Sequence, residues 1–155
     1  MDFAIRKEAR DWFKDIRGDL DLDFDAFYFC FIAGVASKRK KDIPAAETAG
    51  LVDYFPGDYK GRGRLLVSLF LSRELQFLGI AMDEKRTVHS AIAKMVDPET
   101  PNHLSDDGVR EFNKYCHGGY EVLLEWFDEF RPQSLETFLR VFSRKINGTL
   151  SPAAS

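Results

Sequence analysis

Apolar residues recur every three or four positions along most of this chain, which is the spacing that places side chains on one face of an α-helix. The first such pattern covers residues 2–17 and is followed by Gly18, a natural helix end. We therefore predict a first helix over residues 2–17. Its expected buried face comprises Ile5, Ala9, Trp12, Phe13 and Ile16.

The second predicted helix, residues 24–38, is apolar almost all round, which is typical of a helix at the buried centre of a bundle. Alternating aspartates precede it in residues 19–25. They do not fit a calcium-binding loop, because glycine at the sixth position and an acid at the twelfth are both missing. A strand there would have no obvious partner. We interpret this segment as a connector in which Asp23 or Asp25 caps the second helix.

A long connection follows, because Pro44 opposes helix formation and Pro56-Gly57 predicts a turn. The third predicted helix begins at residue 61 or 64 and ends at Gly79. Its expected buried face comprises Leu65, Leu66, Leu69, Phe70, Phe77 and Leu78.

Further helical patterns complete the chain. One covers residues 84–96, Ser105 caps the next, and Ser134 begins the last. Gly118-Gly119 predicts a break or kink, which would make residues 120–131 a separate segment.

These patterns predict an all-α fold: a single-domain bundle of about five to seven helices, with a long connection between helices 2 and 3. The domain would cover residues 1–147. Residues 148–155 would form a disordered tail.

The aromatic content is high, with 14 Phe, 5 Tyr and 2 Trp in 155 residues. Each such ring removes about 150–250 Å² from water when it is buried. The rings therefore predict a thick core, an apolar surface that faces a partner, or both. The net charge is −3, so the chain as a whole is not attracted to nucleic acid or to an anionic membrane.

Several features indicate a cytoplasmic protein. Residues 1–10 lack the cationic and apolar regions of a signal peptide, and Cys30 and Cys116 do not make a disulfide framework. The longest apolar run, residues 24–36, contains Asp25 and is shorter than the roughly twenty residues that a membrane span needs. We therefore expect no association with a membrane.

The candidate catalytic and metal-binding residues are Cys116 and the three histidines, His89, His103 and His117. Their spacing matches no zinc motif. Cys116 and His117 are helix neighbours whose side chains diverge by about 100°. The sequence also contains no glycine-rich phosphate-binding motif. We therefore predict no metal, no cofactor and no catalytic residue, and we expect that the protein is not an enzyme.

The strongest clue to function is a pair of basic clusters in segment 38–64, which carries seven cations and four acids. Cations stabilise a helix C-terminus but destabilise an N-terminus, where a bound anion would reverse the effect. The first cluster ends the second helix and comprises Lys38, Arg39, Lys40 and Lys41. The second begins the third helix and comprises Lys60, Arg62 and Arg64.

If the second and third helices pack antiparallel, the two clusters share one basic end of the bundle. Three interpretations stay open. The cations are hydrated loop charges with Arg64 paired to an acid, or they contact DNA or RNA phosphate, or they contact an acidic protein. Tyr54, Phe55 and Tyr59 lie beside the second cluster, where they would either stack on bases or pin the connection to the core.

We therefore expect a non-catalytic interaction subunit of a larger intracellular assembly, joined to a protein partner or to a second copy of the chain. Its basic end would contact nucleic-acid phosphate or an acidic partner. The acidity of the whole chain favours this subunit over the alternative, a stand-alone DNA- or RNA-binding module. A small enzyme is the third hypothesis, and it requires His103, Cys116 and His117 to converge in a pocket.

Overall fold

The computed structural model describes residues 1–151, which fold into six α-helices and a two-stranded antiparallel sheet. The predicted single-domain, all-α fold is confirmed. None of the helices in this range is long and apolar enough to cross a membrane. The helices are α1 (Lys7–Trp12), α2 (Phe24–Ala36), α3 (Gly63–Phe77), α4 (Lys85–Met95), α5 (Asp106–Trp126) and α6 (Leu135–Leu150). The strands are β1 (Ala4–Arg6) and β2 (Thr48–Gly50), and short 3-10 helices cover Arg17–Asp19, Ala45–Glu47 and Gly57–Arg62.

Strand β1 occupies the start of the predicted first helix. Phe3 and Ile5 are both fully buried, with the period of two that a strand produces. The backbone of Phe3 also exchanges hydrogen bonds with Leu51 and Val52, at 2.8 and 2.9 Å. The prediction of a helix from residue 2 is wrong because β1 pairs with β2, and local periodicity does not report a partner so remote in sequence.

Asp25, rather than Asp23, stabilises the start of α2. Asp23 occupies the N-cap position but makes no cap hydrogen bond, and it pairs instead with Arg17 at 3.0 Å. The carboxylate of Asp25 lies in the first turn, where it complements the helix dipole and accepts from the backbone N–H of Leu22 at 3.0 Å.

Glycines bring α2 and α5 unusually close together. A Cβ on Gly119 would lie 1.6 Å from the carbonyl oxygen of Cys30, and a Cβ on Gly34 would lie 2.0 Å from that of Tyr115. Helix α5 continues without interruption through Gly118-Gly119, so the predicted break is wrong. These glycines allow close backbone packing rather than a turn.

Phenylalanine rings fill the core. Phe112 of α5 stacks on Phe31 of α2 with ring centroids 3.9 Å apart. On the opposite side, Phe138 of α6 meets Phe29 edge to face, with centroids 4.9 Å apart. Most of the high aromatic content therefore belongs to the core. The other rings around Phe112 are Phe3, Phe27, Phe55 and Phe70.

Helices α2 and α3 run in the same direction. The hydroxyl of Tyr59, just before α3, donates to Asp25 at the start of α2. Near the other ends of both helices, the Nε of Arg73 donates to the carbonyl oxygen of Val35 at 2.7 Å. The antiparallel packing on which a shared basic end depended is therefore absent from the described helices α2 and α3. Residues 37–62 permit the parallel arrangement because they return the chain through β2 to the start of α2.

The predicted caps of α5 and α6 are confirmed. The hydroxyls of Ser105 and Ser134 each accept from the backbone N–H three residues later, at 3.0 and 3.1 Å. Helix α6 continues to Leu150, beyond the predicted domain end at residue 147. Residues 152–155 of the predicted tail lie outside the described part of the chain.

Candidate binding surface

The four residues of the first basic cluster have different surroundings. Arg39 donates to the carboxylate of Glu125 on α5 at 2.6 Å. Lys40 lies against α3 and α5 with its side chain largely buried. Lys38 and Lys41 are exposed and form no ion pair with any described residue. Half of the cluster is therefore engaged within the fold.

Lys40 is the centre of a buried charge network. Only 10 % of its side chain is exposed, and only 4 % of that of Glu74. Its ammonium group donates to both carboxylate oxygens of Glu74, at 3.0 and 3.1 Å, and to Glu111 of α5. Tyr115 also donates its hydroxyl to Glu74 at 2.9 Å, and Lys114 donates to the other oxygen of Glu111 at 2.9 Å.

The network fixes the protonation of its members. Burial alone would raise the pKa of Glu111, but hydrogen bonds from Lys40 and Lys114 outweigh it and hold this pKa below its usual value. Burial and the hydrogen bond to Glu74 raise the pKa of Tyr115, which keeps its hydroxyl a donor. Lys40 therefore joins the segment after α2 to α3 and α5.

The second basic cluster is exposed. Lys60 and Arg62 lie in the 3-10 helix that leads into α3, and Arg64 lies in the first turn of α3. Within residues 1–151, none of the three makes an ion pair. The interpretation that pairs Arg64 with an acid is wrong for this part of the chain, and the three cations are available to a partner.

The two basic clusters do not form one end of the molecule. Lys40 binds Glu74, which lies ten residues after Arg64 on the same helix. At a rise of about 1.5 Å per residue, that separation is about 15 Å along α3. Because α2 and α3 are parallel, the first cluster lies by the C-terminal end of α3 and the second by its N-terminal end.

Two of the three aromatic residues predicted to stack on bases belong to the core. Phe55 is buried against Phe3, with ring centroids 5.1 Å apart. Tyr59 is buried against Phe24 at 4.8 Å, and burial together with its hydrogen bond to Asp25 raises its pKa. Phe55 and Tyr59 therefore anchor the segment between α2 and α3 to the core, which is the second of the two interpretations of these aromatic residues. Tyr54 is exposed.

One face of α3 is exposed to solvent and carries no charge. It comprises Leu65, Ser68, Leu69, Ser72 and Gln76, which we call the α3 outer face. These positions follow the helical spacing over about 16 Å. The second basic cluster adjoins this face at its N-terminal end. Two of its residues, Leu65 and Leu69, are exposed leucines.

The exposure of the α3 outer face corrects the predicted packing of the third helix. Leu66 and Phe70 are buried as expected, but Leu65, Leu69, Phe77 and Leu78 are exposed. Leu65 and Leu66 each begin an apolar stripe along α3, and the two stripes lie on different sides of the helix. Periodicity alone does not show which stripe packs against the core. The sequence feature that could have identified the α3 outer face is the absence of any charge at positions 65, 68, 69, 72 and 76.

The residues that the small-enzyme hypothesis required do not converge. Cys116 lies in the core beside Cys30, where burial raises its pKa. His103 and His117 line different cavities. Among the described residues, no three side chains of His, Cys, Asp or Glu are placed to hold a metal ion.

Comparisons with protein-family models, with curated proteins and with solved structures find no match to this chain.

Proposed function

We propose that this protein is a non-catalytic interaction subunit of an intracellular, cytoplasmic assembly, and that it binds an acidic protein partner. The partner would lie along the α3 outer face and place its acidic side chains against Lys60, Arg62 and Arg64. The observation that supports this proposal is that an uncharged, exposed helix face adjoins three cations that pair with no acid among residues 1–151.

The composition of this surface favours one kind of occupant. Leu65 and Leu69 are four residues apart, so they point the same way and suit an amphipathic helix with an apolar stripe. Acids flanking that stripe would pair with the cations at the N-terminal end of α3. Such charge complementarity raises the rate and the specificity of association more than the final affinity.

Nucleic acid fits the same surface less well. A phosphate backbone repeats its charge along its length, whereas the cations here occupy only one end of the α3 outer face. Base stacking would depend on Tyr54 alone among the three predicted aromatic residues, since Phe55 and Tyr59 are buried.

The proposal is tested by capturing partners from extracts of the source cells with the tagged full-length chain. We expect an acidic protein to be retained after nuclease treatment. The double variant Arg62→Ala, Arg64→Ala should retain it about threefold to tenfold less, because two interfacial charge pairs are lost. The matched control is Arg144→Ala with Lys145→Ala, which removes two exposed cations from α6.

The outcome of this experiment separates the hypotheses. Equal retention by both double variants would show that the second basic cluster does not contact the partner. Loss of the partner on nuclease treatment, with direct DNA or RNA binding that weakens steeply as salt rises, would replace the proposal with a nucleic-acid-binding module.

A further inference from the structure

A cleft of about 530 Å³ lies between the segment after β2 and the loop before α5. Its lining combines the apolar side chains of Phe55 and Pro101 with Tyr54, His103 and Lys60. Tyr54 and His103 are exposed, so the faces of both rings remain accessible to another molecule. Aromatic side chains prefer such ring-lined surroundings, where they pack in offset or edge-to-face arrangements.

The charge of this cleft is positive. None of its lining residues is an acid. Lys60 is exposed and forms no ion pair within residues 1–151. Asp53 and Asp58 flank the cleft in sequence, but the three cations of the second basic cluster outnumber them. The cleft therefore favours an aromatic ring that carries negative charge beside it.

The chain itself presents such a ring in the turn that follows α5. Phe130 is 77 % exposed, more than any other large apolar side chain among the described residues. Asp128 and Glu129 directly precede it and are also exposed. Neither acid forms an ion pair in the part of the chain that the structure describes. We call Asp128, Glu129 and Phe130 the acidic turn.

The acidic turn is unfavourable for the isolated fold in two ways. Asp128 and Glu129 have φ angles of 51° and 66°, in the left-handed region that residues other than glycine rarely adopt. They also follow the C-terminal end of α5, where the helix dipole disfavours acids and the last turn contains no cation to offset them. Glycine or a basic residue would remove these costs, so the acids have a reason to be there other than the stability of the fold.

The cleft and the acidic turn lie at opposite ends of α5. His103 lies three residues before this helix begins, and Phe130 lies four residues after it ends. The helix has 21 residues and is therefore about 30 Å long. A single chain cannot bring the two surfaces together, so the acidic turn can reach this cleft only in another copy.

We propose that the protein associates with itself head to tail, with the acidic turn of one copy in the cleft of the next. Phe130 would lie against Tyr54, while Asp128 and Glu129 would pair with Lys60. Because the two surfaces differ, this contact builds open chains or rings rather than a twofold dimer. It does not involve the α3 outer face, and it shares only Lys60 with the second basic cluster.

The proposal is tested by sedimentation of the purified full-length protein over a range of concentrations. We expect weak association, because one ring and a few charges bury less surface than a stable interface. The average mass should rise above that of the monomer as concentration increases, and should fall again as salt is added, since charge pairs contribute to the contact. A protein that remains monomeric at every concentration would overturn the proposal.

Two variants show which surfaces meet. Phe130→Ala removes the ring from the acidic turn but leaves the cleft intact, and Lys60→Glu makes the cleft repel acids but leaves the turn intact. Each variant alone should associate at least about tenfold more weakly than the natural protein. A mixture of the two should nevertheless form one-to-one dimers, because the turn of one variant still fits the cleft of the other.

The matched controls are Met82→Ala, at a side chain that is 71 % exposed, and Lys145→Glu, at an exposed cation of α6. Both should associate as the natural protein does. A mixture of Phe130→Ala and Lys60→Glu that stays monomeric, or association that neither variant weakens, would overturn the pairing of these surfaces. Since Phe130 belongs to neither the α3 outer face nor the second basic cluster, its variant tests self-association independently of the acidic partner proposed above.

Discussion

Single atoms decide how closely α5 approaches α2. The backbone of Cys30 occupies the space that a side chain at residue 119 would need. A Cβ built on Gly119 would lie only 1.6 Å from the carbonyl oxygen of Cys30. A Cβ built at Gly148, in contrast, would meet no atom of another element within 4 Å among the described residues, although Gly148 also lies in a helix. The same residue type therefore has opposite consequences at the two positions, which the sequence alone does not distinguish.

Gly119→Ala is expected to destabilise the protein by about 3 kcal/mol or more, because the added methyl group forces the two helix backbones apart. Gly148→Ala should stabilise it by about 0.5–1 kcal/mol through helix propensity. Urea unfolding monitored by circular dichroism measures both. Equal stabilities of the two variants would show that the crossing of α2 and α5 is looser than described.

His117 makes stability depend on pH in a defined window. Its pKa is 6.5 in an unfolded chain and about 4 in the folded protein, mainly because burial disfavours the charged imidazole. Between these values the unfolded chain binds a proton that the folded chain does not. Stability is therefore complete above pH 6.5 and falls as the pH decreases towards 4, by on the order of 3 kcal/mol.

We expect His117→Gln to flatten this dependence of unfolding free energy between pH 6.5 and 4, measured by urea titration at each pH. His89→Gln, at an exposed position, should retain the dependence of the natural protein. The interpretation fails if the unfolding free energies of both variants depend on pH equally steeply between pH 6.5 and 4.

At the scale of elements, the buried network around Lys40 connects the segment after α2 with α3 and α5. The ammonium group lies between Glu74 of α3 and Glu111 of α5, and it also lies 4.5 Å from the ring centre of Phe77. One residue earlier, Arg39 makes an exposed ion pair with Glu125. Two adjacent cations of the same cluster therefore differ in what they contribute to stability.

Lys40→Met should cost about 3–5 kcal/mol, because it leaves Glu74 buried without its cation. Arg39→Met removes a partly exposed pair and should cost less than about 1 kcal/mol. Thermal and chemical unfolding compare the two variants directly. Equal losses would mean that the network around Lys40 contributes no more than a surface ion pair.

Elements with local signals were predictable from sequence. Helices α5 and α6 begin at serine caps, so the starts of both were identified. Strand β1 was not, because its partner β2 lies beyond α2. The direction of α3 relative to α2 was left as a condition, since residues 37–62 permit either direction.

The candidate surface was predictable only in part. Lys60, Arg62 and Arg64 were recognised, and they are exposed and unpaired within the described residues. Lys40 was grouped with them because a run of four cations does not show which one turns inward. Whether Leu65 and Leu69 are exposed depends on which face of α3 meets the core. Leu66 and Phe70 are the residues that are buried, so Leu65 and Leu69 face solvent.

At the scale of the whole molecule, exposed apolar residues adjoin cations in more than one place: Leu65 lies beside Arg64, and Phe77 and Leu78 line a cleft together with Lys41. The chain has a net charge of −3, yet three cations that form no ion pair within residues 1–151 adjoin the uncharged α3 outer face. The remaining exposed helix surfaces, such as those of α4 and α6, carry charged side chains. The α3 outer face is therefore the surface we propose for the partner, and its central leucine provides the sharpest test.

The deciding measurement is the affinity of the purified protein for its captured partner, compared between Leu69→Asp and Leu139→Asp. The two leucines are matched, since they lie on different helices and are 38 % and 39 % exposed. We predict that Leu69→Asp weakens binding at least about tenfold, by placing a charge in the contact, and that Leu139→Asp leaves it unchanged. Equal affinities for the two variants would contradict the proposal that the α3 outer face binds the partner.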